Sequence, residues 1–404
     1  MKNKITDNIF NVGVLNPNVR IADIVVKTNN GTSYNSYIVK GSNKTALIET
    51  AHKDYFENYL SNIQEIINLD QIDYIIMNHN EPDHSGSISK LIELNPNLTI
   101  ITSPAGAIYL KNITNKTDLK IKTVKDGDSL SLGNKTLKFI SAPFLHWPDS
   151  MFTWLVEEKI LFSCDFLGCH YCEPYILDTN ITDKEAFLSS LQIYYSAIFS
   201  PFKKYVLNGL SKISDLEISF VCPSHGPVLT KNGILFEVIE KYKNWSNYNK
   251  NSTLTIPIFY CSAYGNTELI AKAISEGIKN QISNVNAPLY NVIKHNLNDL
   301  TNELNSSDAF LIGSPTINKN SVYPIWNLLS TIDAISNTKK SVATFGSFGW
   351  SGEATEQISN YMSSMKLSVF EEKFKVCFIP TKKDLENATL FGEKFAKSLN
   401  LTQK

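Results

Sequence analysis

A chain of 404 residues is long for a single core, so two or three domains are expected. Hydrophobic residues make up 43% and charged residues 19%, the balance of an ordinary globular protein. The formal net charge of −1 offers no field to attract nucleic acid or an anionic membrane surface, and neither is expected as a partner. No stretch approaches the roughly 18 unbroken apolar residues of a membrane span. The first residues, 1–11, are polar and lack the apolar centre of an export signal. Six cysteines are too sparse for a disulfide scaffold in this length. They read as reduced thiols, and the expected compartment is the cytoplasm.

In chain order, residues 34–39 and 45–49 read as a β-hairpin turning at Gly41-Ser42-Asn43. The apolar run 72–77 reads as a buried strand. From Ser87, the spacing of Ile88, Leu91 and Ile92 predicts a helix ending near Asn95-Pro96. Further strands are expected over 98–102, 137–142, 151–156, 160–163 and 220–222. Residues 243–253 shift to Asn, Ser, Lys and Tyr, the composition of a linker. This divides the chain into domains 1–248 and 254–404. Beyond the linker the rhythm is strand, loop, helix: a strand over 256–260, a loop over 262–267, and an apolar stripe of Leu269, Ile270, Ala273, Ile274, Gly277 and Ile278. Strands over 309–313 and 342–345 each lead into a Gly/Ser-rich loop. Such alternation predicts a doubly wound parallel sheet.

The first chemical signal is His79-Asn80-Glu81-Pro82-Asp83-His84, which packs four potential metal ligands into six positions after an apolar strand. A loop can curl these side chains towards one point; a helix cannot place 79, 81 and 83 on one face. His146, Asp165 and His225 also stand at the ends of expected strands. If those ends share one rim of a sheet sandwich, four imidazoles and three carboxylates converge. Without an obligatory thiolate, this set suits iron, manganese or zinc. Seven donors are too many for one ion; a carboxylate bridging two ions about 3.5–4 Å apart accounts for them. Asp165 is the candidate bridge. Glu81, a hard anionic donor, favours Fe(III) and redox work over zinc hydrolysis. Cys169-His170-Tyr171-Cys172 contains a CxxC, but no second CxxC completes a zinc site.

The second signal is Ser262-Ala263-Tyr264-Gly265-Asn266-Thr267, between a strand and a helix. Hydroxyls, an amide and backbone N–H groups at a helix N-terminus make a nest for a phosphate dianion. No GxGxxG and no GxxxxGK[ST] is present, which argues against a dinucleotide site and an NTPase. A polar loop without lysine suits FMN. The loops Ser314-Pro315-Thr316-Ile317-Asn318 and Ser347-Phe348-Gly349-Trp350, continuing to Gly352, follow the next two parallel strands. Glycines there let the backbone approach a flavin, and Phe348 or Trp350 can cover a ring face.

The first half resembles the metallo-β-lactamase superfamily, with Glu81 where the usual HxHxDH signature has histidine. That departure, together with His146-Trp147-Pro148-Asp149-Ser150-Met151, Ser163-Cys164-Asp165 and Pro223-Ser224-His225-Gly226, resembles the flavodiiron proteins. The ordered trio of loops resembles flavodoxin. The resemblance covers nearly the whole chain. It implies an N-terminal metallo-β-lactamase-like αββα sandwich followed by a flavodoxin-like domain, with FMN and two iron ions per chain. By position, one iron takes His79, Glu81 and His146, the other takes Asp83, His84 and His225, and Asp165 bridges. At the position of His84 some members have no ligand. His170 falls near the pocket for the diatomic gas. The activity implied is reduction of O2 to water, or of NO to N2O, in a head-to-tail homodimer or a dimer of dimers. No rubredoxin-like pair of CxxC motifs occurs in the sequence, so a separate rubredoxin-like donor is expected. The readings set against this are an enzyme mainly for NO and a di-zinc hydrolase with an accessory flavodoxin domain.

Overall fold

A computed structural model describes residues 4–22, 26–247 and 253–399. The chain divides into two compact units, 1–248 and 249–404. Among the described residues no helix is long and apolar enough to cross a membrane.

The first unit is a sandwich of two sheets. One has the spatial order Lys4–Thr6, Ile9–Asn11, Tyr37–Lys40, Thr45–Ile48, Tyr74–Met77, Thr99–Thr102 and Ile121–Thr123. The other runs Ser129–Ser131, Thr136–Ser141, Met151–Leu155, Ile160–Cys164, Phe220–Pro223 and Leu229–Thr230. Side chains alternate across each strand. Val39, Ile48, Ile76 and Ile101 therefore face Phe139, Met151, Leu155 and Phe162 in the core between the sheets. Ile38, Leu47 and Ile75 point the other way, under the helices Phe56–Gln64, Ile88–Leu94 and Pro104–Thr114. The second sheet's outer face is covered by Lys184–Tyr194, Lys203–Ile213 and Leu235–Ser246. This is the expected αββα order.

Local differences from the sequence reading have physical causes. The expected strand 34–39 is broken: Tyr34 ends the strand Thr32–Tyr34, which pairs with Val14–Asn16. Asn35 leaves the ladder because its N–H donates to Ser224 O and its amide donates to Pro223 O and Gly226 O. The expected linker begins too early, since Lys243 to Ser246 complete the helix Leu235–Ser246 and bury Ser246. Its central residues, 248–252, lie outside the described residues.

The second unit is a parallel sheet in the order Leu289–Asn291, Ile258–Tyr260, Ala309–Ile317, Ser341–Phe348, then Ser368–Val369 and Phe374–Cys377. In chain order this is 2-1-3-4-5, the flavodoxin-like arrangement. Helices Asn266–Gln281 and Lys382–Ser398 cover one face, and Leu297–Ser306, Tyr323–Leu329 and Ala354–Ser364 the other. Of the predicted stripe on the first helix, Ile270, Ala273, Ile274, Gly277 and Ile278 are buried, but Leu269 is exposed. The expected loop from Ser314 is also corrected. The strand continues to Ile317 and turns back through Asn318 and Lys319, both at positive φ, to pair Ile317 with Asn320. That is the backbone of a tight two-residue hairpin.

Two helices of this unit touch through glycine. A Cβ on Gly277 would lie 2.0 Å from Thr389 O, and one on Gly392 would lie 2.3 Å from Ile274 O. Main chain cannot yield as a side-chain tip can. Gly277→Ala should therefore destabilise the second unit by about 1–3 kcal/mol despite alanine's better helix propensity. Urea unfolding of the wild-type and variant chains, followed by hydrogen exchange in 266–281, checks this; a neutral or stabilising outcome contradicts the close approach.

Candidate metal centre

The candidate ligands stand on one rim of the sandwich. His79 follows Tyr74–Met77 in the first sheet; His146, Asp165 and His225 follow Thr136–Ser141, Ile160–Cys164 and Phe220–Pro223 in the second. The HxExDH run is not a loop throughout. His79 to Glu81 lie outside helix and strand, then Pro82 opens a helical turn, Pro82–Ser85, that carries Asp83 and His84. Proline suits that first position, where its missing N–H is not needed. The switch from loop to helix splits the run, sending 79 and 81 one way and 83 and 84 another.

Two donor groups result. In the first, ligand atoms of His79, Glu81, His146 and Asp165 lie within 4.8 Å of one another; in the second, those of Asp83, His84 and His225 do. Glu81 Oε2 is 3.2 Å from His79 Nε2 and 3.1 Å from His146 Nε2. Asp83 Oδ2 is 3.1 Å from His225 Nε2, and Asp83 Oδ1 is 3.4 Å from His84 Nε2. Asp165 joins them. Its Oδ2 faces the first group, 3.5 Å from His146 Nε2 and 3.7 Å from His79 Nε2. Its Oδ1 faces the second, 3.2 Å from His84 Nε2 and 3.4 Å from His225 Nε2.

Several of these atoms converge without bonding to each other. Asp83 Oδ1 and His84 Nε2 are buried and have no hydrogen-bond partner among the described residues. Burial of such groups without a partner is costly. An ion between them removes that cost, so the residues fit a pair of cations. The first group is the more open: side-chain exposure is 20% at Glu81 and 12% at His146, against 3% at His84 and His225.

Without a cation, the charges of the cluster oppose one another. Burial lowers the affinity of His79 for a proton, but its contacts with Asp149 and Glu81 prevail and lift it to about 10. Burial raises Glu81, yet His146 and His79 hold it at about 2. Asp165 is held well below the carboxylate range, because His84 and His146 outweigh its burial.

Supporting contacts fix the rings. Asp149 Oδ1 lies 3.2 Å from His79 Nδ1, and Asp149 Oδ2 accepts from Asn80 N and Asn80 Nδ2 at 2.8 and 2.9 Å. Ser33 O is 2.6 Å from His225 Nδ1. The Tyr194 hydroxyl donates to Asp165 Oδ1 at 3.0 Å. His170 does not join either donor group. Its Nδ1 is 2.8 Å from Thr32 Oγ1, and its ring stands 4.8 Å from that of His225 and 4.9 Å from that of Tyr194. Burial, then the charge of His225, lowers His170 to about 3 and keeps it neutral. Cys169 is buried and Cys172 half-buried, and burial pushes both thiols up, Cys169 well above the usual thiol range and Cys172 to about 11. Asp149 and Tyr194 are functional candidates that sequence reasoning did not single out. A signal existed for Asp149, an acid placed just before an apolar strand; Tyr194 sits in an ordinary amphipathic helix and gave none.

In the second unit, Gly265 takes φ +87 to start the helix Asn266–Gln281, and Ser262 Oγ accepts from Glu268 N at 3.3 Å. Ala263 and Tyr264 are exposed. Thr267 is buried, with its hydroxyl 2.9 Å from Ser347 Oγ, which ties the first loop to the third. Ser314 is turned inward, donating to Pro315 O and accepting from Ser321 Oγ and Val322 N. Pro315 is buried with it, Thr316 accepts from Ala354 N, and Ile317 and Asn318 project at the hairpin tip. Ser347 and Phe348 end a strand; Gly349, Trp350 and Gly352 continue as loop. These segments form or follow the carboxyl ends of Ile258–Tyr260, Ala309–Ile317 and Ser341–Phe348, where the strand order reverses and such sheets bind ligands. Tyr264 is 91% and Trp350 77% exposed, so two large aromatic rings beside this crevice have no cover within the described residues of this unit.

Comparison with known proteins agrees with both halves. Residues 32–226 match the family described as ODP family beta lactamase, and residues 258–392 match flavodoxin. The flavo-diiron protein FprA2 of Clostridium acetobutylicum is 51% identical over 397 residues, covering 98% of this chain and 99% of that protein. The anaerobic nitric oxide reductase flavorubredoxin of Vibrio vulnificus is 36% identical over 335 residues, 82% of this chain and 67% of its own length. The rubredoxin oxygen:oxidoreductase of the anaerobe Desulfovibrio gigas matches with a TM-score of 0.71 at 27% identity, over 98% of each chain. With both domains matched and a relative this similar along its full length, the chain belongs to the flavo-diiron protein family.

Proposed function

We propose that the chain is an oxidoreductase that reduces O2 to water, and NO to N2O, with electrons from a separate rubredoxin-like donor. The observation that carries this reading is the two-sided carboxylate of Asp165, one oxygen turned to each donor group. His79, Glu81 and His146 would hold one iron, and Asp83, His84 and His225 the other. The segments 262–267, 314–318 and 347–352 would hold FMN. When bound, FMN passes electrons singly or in pairs, and an iron pair supplies a redox-active Lewis-acid centre for a diatomic gas.

The residues of the chain do the rest. Glu81, Asp83 and Asp165 place three carboxylates among four imidazoles, a set harder than that of a zinc hydrolase and suited to iron. Asp149 and the Ser33 carbonyl fix the tautomers of His79 and His225, so that each Nε2 points to the centre with its lone pair. The Tyr194 hydroxyl holds a proton against Asp165 inside the pocket. Trp147 stands edge-on to His79 and Phe199 to His146, which restricts water around the open donor group.

The quaternary arrangement belongs to the proposal as well. Exposed Tyr264 and Trp350 gain burial when a second chain covers the flavin crevice, as a head-to-tail homodimer or dimer of dimers would. All six cysteines are free, as in a reducing cytoplasm.

Metal analysis is the first test. Two iron ions per chain, with FMN, are expected; two zinc ions and no iron would replace this reading by the hydrolase. Asp165→Ala should abolish O2 and NO consumption while a rubredoxin-type donor still reduces the flavin, and consumption that survives would assign the chemistry to the flavin alone. Stopped-flow mixing of the reduced protein with each gas in turn separates an oxygen enzyme from one mainly for NO.

A pH test needs no turnover. In the metal-free chain His79 binds its proton more tightly when folded, so its stabilisation is complete below its ordinary value of 6.5 and is lost as pH rises through about 10. Glu81 acts in the opposite sense: its stabilisation is present above 4.5 and disappears as pH falls through about 2. The Tm of the metal-free protein should therefore peak between these limits and fall by several degrees towards pH 10. Metal requires the imidazoles deprotonated, so the loaded protein should lack the alkaline decline. Identical pH profiles for the two forms would contradict the assignment.

A further inference from the structure

We infer that Glu49 is the positioning residue for His84, and that it completes the second donor group through that ring. The inference rests on the two-metal reading above. Glu49 follows the strand Thr45–Ile48 and so occupies another strand end on the same rim. It is 1% exposed. Its φ of 58° lies in the left-handed region, uncommon for a residue with a side chain. That conformation is held from both sides: its N–H donates to Ile76 O at 2.9 Å, and its carbonyl accepts from Ser36 Oγ at 2.8 Å. The side chain is thereby turned inward.

One oxygen of the carboxylate is accounted for and the other is not. Oε1 accepts from Asn78 N at 2.8 Å, while Oε2 is buried with no hydrogen-bond partner among the described residues. A carboxylate oxygen of Glu49, a ring nitrogen of His84 and Cys164 Sγ lie within 4.8 Å of one another. Cys164 is engaged elsewhere, its thiol pointing to Asp165 Oδ2 at 3.7 Å. Glu49 thus stands against His84, the same imidazole whose Nε2 faces Asp83 and Asp165 without a hydrogen bond.

The two defects have a common solution. An imidazole that gives Nε2 to a metal carries a proton on Nδ1, and in metal sites that N–H is held by a carboxylate or carbonyl. His79 has Asp149 for this purpose and His225 has Ser33 O. Glu49 supplies the third such acceptor. A cation on Nε2 and a Glu49 acceptor for the opposite N–H would satisfy both unpartnered atoms at once. The role is that of an orienting group: Glu49 directs His84 towards the metal instead of binding the metal itself.

The test is titration of the metal-free protein with Co2+ as the probe, read by visible absorption and by the number of ions bound per chain. The wild-type chain should bind two. Glu49→Gln keeps the size and the acceptor for Asn78 N–H but removes the charge, and it should weaken one of the two ions by about 10–100-fold and leave the other unchanged. If that variant does not fold, Glu49→Asp takes its place; it draws the carboxylate back by one methylene and must weaken the same ion. The pair His84→Asn and His84→Asn/Glu49→Gln completes a cycle. Because Glu49 acts through His84, the double variant should bind no more weakly than His84→Asn alone. Unchanged binding in Glu49→Gln, equal weakening of both ions, or additive losses in the double variant would overturn the inference. Fewer than two Co2+ per wild-type chain would remove the two-metal reading and this inference with it.

Discussion

The structure of the first unit depends on one buried carboxylate. Asp165 sits where two sheets, six other donor side chains and the hydroxyl of Tyr194 meet, and each of its oxygens has a different task. An isolated charge in that place would be prohibitively costly. It is tolerable because imidazoles surround it on both sides. The backbone is shaped to put it there. The pairing of Ile160–Cys164 with Phe220–Pro223 shifts register between Phe162 and Cys164, and Cys164 takes φ 54°. A shift of this kind re-aims the next side chain, and the next side chain is Asp165.

The distance between the donor groups is then set by the core beneath them. His79, Glu81, Asp83 and His84 follow a strand of the first sheet, and His146, Asp165 and His225 follow strands of the second. Apolar packing between the sheets fixes their separation, and a polar layer just under the rim locks it. Met151 N donates to Asn78 O at 2.9 Å, Thr153 Oγ1 to Asn78 Oδ1 at 2.6 Å, and Tyr37 OH to Pro223 O at 2.6 Å. The Asn80 contacts to Asp149 cross the same gap. Packing and hydrogen bonds thus position the candidate ligands without an ion, which is the condition for a site of defined geometry.

What the sequence made legible follows from how local each feature is. The αββα and doubly wound orders were readable because apolar periodicity and turn residues are properties of short windows. The seven candidate donors drew notice because each comes after an apolar strand. The break at Asn35 was not, since it depends on carbonyls at 223 and 226, far along the chain. Nor was the helical turn at Pro82–Ser85: its short length gives no periodicity, and only Pro82 hints at it. The run from Ser314 was misjudged for a related reason. Gly313 and Pro315 look like loop residues, but Gly313 is needed where a Cβ would strike the Phe345 ring at 2.2 Å, within a continuing strand. Glu49 escaped notice because a lone acid after a strand has no meaning until His84 is seen beside it.

The two donor groups are chemically similar yet unequally placed, and that inequality bears on how the centre works. Glu81 and His146 form the side that solvent reaches, with Trp147 and Phe199 packed around it. Asp83, His84 and His225 are sealed behind His170, Tyr194 and Glu49. A group that must exchange gas and receive electrons belongs on an approachable side, while one that must keep a fixed geometry belongs on the closed side. Glu81 is itself only 20% exposed, so its charge acts through a medium less screening than bulk water, and a carboxylate in place of imidazole there favours the higher charge on an ion. The single departure from the HxHxDH pattern therefore adds an anion to the donor group that solvent reaches.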